Sequence, residues 1–144
     1  RQHIMDPHAV QTDPATTSMV AMAILRSGST LTTGEYAKQL GNALEYILRS
    51  VEQSPAATYN ITELSGTQIQ TKLGANIDVV LATQFLSNMV EHTGHNKSLQ
   101  ARVKKNLNTC VAKIQRAQDR DGSMAYSPGG SACLVCNCRC RCLK

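Results

Sequence analysis

Tryptophan is absent from this chain, phenylalanine occurs once, and aromatic residues make up only 3% of it. A surface that binds single-stranded nucleic acid stacks bases on aromatic rings inside a basic groove. The formal net charge of +5 does not supply that groove, because Arg139, Arg141 and Lys144 crowd into the last six residues and the body is near neutral. No nucleic-acid partner is expected. Long apolar runs are also missing: the longest, Met19 to Leu25, is far short of the roughly 18 residues that span a bilayer, so no transmembrane segment is expected. There is no charged-then-apolar leader, and the first residue is Arg1 rather than Met. The chain is therefore expected to be soluble, with the cytoplasm favoured over secretion, and either processed or cut from a longer protein.

What is present is helical periodicity, repeated along one domain's worth of chain, 144 residues. Residues 1–12 are polar and aperiodic, a flexible leader carrying His3 and His8. Asp13-Pro14 then reads as an N-cap followed by proline at the first helical position, where a missing N–H costs nothing. This predicts a helix over 14–27 with Gly28 as C-cap, interior because its apolar run leaves no polar face. Thr32-Thr33-Gly34-Glu35 fits a capping box, and Tyr36, Leu40, Leu44, Ile47, Leu48 and Val51 predict a covering helix over 33–53, antiparallel to the first.

Residues 54–75 are poorly patterned and read as a long loop, with short turns at Ile61–Leu64 and Ile69–Leu73. Asn76 is placed to cap a second interior helix over 76–92. A covering helix over 98–118 follows, with Leu99, Val103, Leu107, Cys110, Val111 and Ile114 on one stripe and Arg102, Lys104, Lys105, Asn108 and Lys113 facing water. The order is interior, covering, interior, covering. A shift of 61 lays Met19, Ala21, Ile24 and Leu25 on Val80, Ala82, Phe85 and Leu86; a shift of 63 lays Tyr36, Leu40, Leu44, Ile47 and Leu48 on Leu99, Val103, Leu107, Cys110 and Val111. Two hairpin repeats emerge.

The second covering helix runs into Gln118-Asp119-Arg120-Asp121-Gly122-Ser123-Met124. This Q-x-x-D-G-S segment resembles the repeat terminator of the prenyltransferase and squalene-cyclase repeat family, in which Trp usually stands where Met124 does here. The resemblance spans about Asp13 to Met124. It implies an all-α fold, two αα-hairpins of an incomplete α/α toroid, with the domain over 13–126. It makes Gln118, Asp121, Gly122 and Ser123 structural motif residues, and terpenoid cyclisation the parent activity. No catalytic residue is assigned. The family's cyclases use D-x-D-D as their acid, whereas Asp119 and Asp121 belong to the terminator and Arg120 sits between them. The aromatic scarcity also denies a carbocation its cation–π partners. On this reading the chain is a noncatalytic fragment, with self-association or further repeats as its partners.

The composition breaks at Ser127-Pro128-Gly129-Gly130, and residues 127–144 form an irregular cysteine-rich tail. Cys133, Cys136, Cys138, Cys140 and Cys142 make a dense thiolate array of a kind that binds zinc or cuprous copper. A metal-binding or protein-interaction module, using this tail or exposed helical faces, is the alternative function; an adventitious, oxidisable tail is the competing account of the same residues. No other cofactor is expected. His92 and His95, three apart, read as exposed residues at a helix end rather than as metal ligands.

Overall fold

In the computed structural model, the described residues are 11–120 and Gly122. They form an all-α fold of α1 (Pro14–Arg26), α2 (Ala37–Gln53), α3 (Gln68–Leu73), α4 (Ile77–His92) and α5 (Lys97–Ala117). The four long helices make a closed ring of neighbours, α1 against α2, α2 against α5, α5 against α4 and α4 against α1, while α3 packs on α4. Between them lies the apolar core of Leu40, Ile47, Leu48, Phe85, Leu86, Met89 and Val103, each fully buried. Removing one such side chain from water contributes roughly 1.5–3 kcal/mol, so this ring of contacts is what holds the short helices together.

The start of α1 follows the sequence closely: Asp13 accepts from the Thr16 amide at 2.7 Å, with Pro14 at the first helical position. Ser27, not Gly28, is the C-cap, and Gly28 follows at positive φ. The expected capping box at Thr32 and Glu35 does not form. Thr30 gathers the turn instead, its Oγ1 accepting from the amides of Thr32 and Thr33, and α2 starts only at Ala37 with Tyr36 as an N-cap that makes no side-chain bond. Gly34 sits at φ 98°, where a Cβ would lie 2.7 Å from Ser29 Oγ, so the chain doubles back too tightly for a helix to start there.

A capping box does exist, but at Thr67 and Gln70, where it opens α3 inside the stretch read as a loop. Asn76 precedes α4 without a side-chain cap bond. Asn96 caps α5 through Leu99 N at 3.1 Å.

Two αα-hairpins follow from the contacts. Tyr46, midway along α2, donates to Thr12 O just before α1, so α1 and α2 are antiparallel. Gln100 reaches Val90 O and Cys110 lies beside Thr83, so α4 and α5 are antiparallel too. Between hairpins the directions agree. The Ala15 amide, in the first turn of α1, donates to Asp78 in the first turn of α4. Along α5, Arg102 meets Glu45 and Glu52, Asn106 meets Glu52, and Lys113 meets Pro55 and Thr58, so α2 and α5 climb together.

The interior assignment holds for α4, which buries ten of its residues. It fails for α1, where Met19 and Val20 are 47% and 54% exposed. The α1 run has apolar residues all round, but α2 and α4 cover only part of its circumference.

Candidate functional site

Of the segment Gln118 to Ser123, the described residues include Gln118, Asp119, Arg120 and Gly122. Gln118 is the C-cap of α5, its Nε2 donating to Gly122 O, and Gly122 N donates back to Asp119 O at 2.9 Å. Gln118 and Gly122 are thus brought together in a tight turn, with Gly122 at φ 87°. Asp119 and Arg120 are exposed beside it. Asp121 and Ser123, the remaining motif residues, lie outside the described residues, as do Cys133, Cys136, Cys138, Cys140 and Cys142. His92 and His95 are both exposed at the end of α4. Among the described residues no three His, Cys, Asp or Glu side chains converge as a metal-binding group.

Sequence reasoning missed the two buried polar centres. Asp78, fully buried, accepts from Ala15 N at 3.2 Å, from Gln70 Nε2 at 2.7 Å and from Asn60 Nδ2 at 3.4 Å. It therefore joins α1, α3, α4 and the segment before α3 at one carboxyl group. A lone acidic residue inside an apolar helical pattern was the available signal, because burial of that group requires donors around it.

The second centre is Lys113, expected to face water and found with no exposed surface. Its Nζ donates to Pro55 O, Thr58 O and Thr58 Oγ1 at 2.8, 3.0 and 3.0 Å. No carboxylate is among these acceptors. Desolvation, and then the charge of Arg116, push its pKa below the usual lysine value. The long aliphatic stem explains the misreading: it crosses the apolar edge of α5 and delivers the nitrogen to carbonyls beyond α2. Nearby, burial pushes the Cys110 thiol up to about 12, which leaves it protonated and inert at neutral pH.

The open surface is on α1. Thr16, Met19, Val20 and Ala23 recur at helical spacing and are all exposed. Beside Thr16, the residues Gln68, Ile69, Lys72 and Leu73 of α3 line a shallow cleft of about 340 Å³. These groups offer apolar contact from Ile69 and Leu73, the Thr16 hydroxyl, the Gln68 amide and the Lys72 ammonium. No helix among the described residues is long and apolar enough to cross a membrane. Comparison with protein-family models, with curated proteins and with solved structures found no match.

Proposed function

We propose that this chain is a scaffold segment of a helical-hairpin repeat protein of the prenyltransferase and squalene-cyclase kind, noncatalytic by itself, with terpenoid cyclisation as the activity of an intact parent. One observation carries the reading: the two hairpins lie side by side with α1 parallel to α4 and α2 parallel to α5. An α/α toroid is built by repeating that step around an axis, interior helices in one direction and covering helices in the other. The Gln118–Gly122 turn supports it, since a repeat array needs a sharp reversal after each covering helix.

Repeat proteins gain stability from each neighbour they stack on. Two copies of residues 13–122 joined head to tail should therefore melt at a higher temperature than one copy. An equal or lower melt argues against an array. The chemical half of the proposal is tested by incubating the chain with squalene, oxidosqualene and geranylgeranyl diphosphate and analysing products. The expected result is none; a cyclised product lost on substitution of Asp119 and Asp121 by Asn would make that carboxylate pair a catalytic centre.

The exposed Met19 and Val20 favour a second property of the same scaffold, association with another copy or another repeat through α1.

A further inference from the structure

The exposed row on α1 has an internal order beyond its apolar character. Thr12, Thr16, Met19, Val20, Ala23 and Ser27 are all exposed and recur at intervals of three and four, so they share one side of the helix. No member of the row is charged. The charges stand at its two ends, Asp13 as N-cap and Arg26 in the last turn. Asp13 gives Oδ1 to the Thr16 amide, and among the described residues neither Asp13 nor Arg26 makes an ion pair.

Turned end for end about a point between Met19 and Val20, the row matches itself. Asp13 then meets Arg26, Thr16 meets Ala23, Met19 meets Val20 and Thr12 meets Ser27. Acid faces base, small faces small, the two large apolar side chains face each other, and hydroxyl faces hydroxyl. A surface that pairs i with j and j with i is what a two-fold interface requires. The small residues on either side of the central pair let the two helices approach closely. A parallel pair in register instead sets Asp13 on Asp13 and Arg26 on Arg26, with like ends of the two helix dipoles together. Lys72 lines the cleft beside Thr16, which offsets part of the charge gain at that end. The charges therefore orient the pair, and the apolar centre holds it. A contact confined to two 13-residue helices falls below the roughly 1,200 Å² of a stable interface, so the pair is weak and reversible.

We propose that this face takes a second copy of the chain, packed antiparallel, α1 on α1, about a two-fold axis between Met19 and Val20. The proposal rests on the reading that α1 is a contact surface, and adds to it the occupant and its direction. A further repeat of an array would lay its interior helix parallel to α1, as α4 lies. Direction therefore separates a second copy from a next repeat.

Cysteine cross-linking of the full chain, read together with its mass in sedimentation, tests both. Residues 2–26 form one tryptic peptide without a native cysteine, so a link in that peptide reports only on the residue introduced there. Thr16, Met19 and Ala23 are all exposed, and their replacement by Cys should leave the helical circular dichroism unchanged. Under mild oxidation a mixture of Thr16→Cys and Ala23→Cys chains should give the 16–23 link in about tenfold or greater excess over 16–16 and 23–23. Met19→Cys, next to the axis, should link to itself. The mass of the wild type should rise with concentration. An excess of 16–16 and 23–23 links would overturn the antiparallel copy while leaving α1 a contact surface. A constant monomer mass, or association with no link in this peptide, would remove both.

Discussion

Arg102 on α5 grips Glu52 on α2 at two points, Nε to Oε1 and Nη2 to Oε2, each at 2.8 Å. Its remaining Nη1 reaches Glu45 Oε2 at 2.7 Å, and Asn106 adds a bond to Glu52. The guanidinium fork fits a carboxylate edge-on, which fixes the register of the two covering helices where apolar contact alone would let them slide.

The Arg102 guanidinium holds the Glu52 carboxyl down at about 2, from an ordinary 4.5. A depressed carboxylate adds stability above its unfolded pKa and loses it as pH falls toward the folded one. Arg102→Met should cost about 1 kcal/mol at pH 7, a modest figure because Arg102, Glu45 and Glu52 are 34%, 39% and 40% exposed and solvent screens the pairs. Urea unfolding should show wild type and variant converging between pH 4.5 and about 2. High salt at pH 7 should narrow the gap as well.

Cys110 acts in the opposite pH range. Its thiol, raised from 9.0 to about 12, stays protonated in the fold while the unfolded chain ionises. The stability it contributes is complete below pH 9 and falls as pH rises toward 12. Cys110→Ala should lose less stability than wild type over that window. At pH 8, site-resolved mass spectrometry should find Cys110 unalkylated by iodoacetamide in native protein and alkylated in urea.

Lys113 has a depressed pKa, so for an amine the sign reverses: burial costs stability at neutral pH, and the cost is relieved as pH rises toward 10.5. The stability of wild type relative to Lys113→Met should therefore improve with pH up to that value. Urea midpoints measured at intervals from pH 7 to 10.5 check the direction. A difference that stays flat would mean the ammonium is better solvated than its geometry indicates.

Ser18 is fully buried in α1 and its Oγ has no hydrogen-bond partner. An unsatisfied buried hydroxyl is unfavourable, so Ser18→Ala should raise stability by about 1 kcal/mol. A loss of similar size in the thermal melt would contradict this.

The exposed pair on α1 should drive self-association. Light scattering of the wild type should show a mass that grows with concentration, and Met19→Lys with Val20→Lys should return the chain to a monomer. Because both side chains are about half exposed, the double variant should keep its melting temperature within a few degrees of wild type. A wild type that is monomeric at every concentration would remove α1 as a contact surface.

Much of this architecture was legible because it rests on local chemistry. Asp13-Pro14 capped α1 as read, the apolar stripes of α2 and α5 found the core through Leu40, Ile47, Val103 and Cys110, and the helical hairpins appeared where periodicity put them. Local signals also misled where a neighbour outcompeted them. The Thr32–Glu35 box yielded to the tight turn at Gly34, and an equivalent box at Thr67–Gln70 succeeded because Asp78 was there to receive Gln70.

The sequence alone determined where the four long helices run and which stripe of each covering helix is apolar, since spacing and capping act within a few residues. Only the tertiary structure decided what happens at long range. It set α1 parallel to α4, buried Lys113 on carbonyls more than fifty residues away, made Asp78 the junction of four segments, and left Met19 and Val20 open while closing Val80 and Leu81. Those outcomes depend on which surfaces meet, and a helix that is apolar all round does not itself specify which of its faces will be covered.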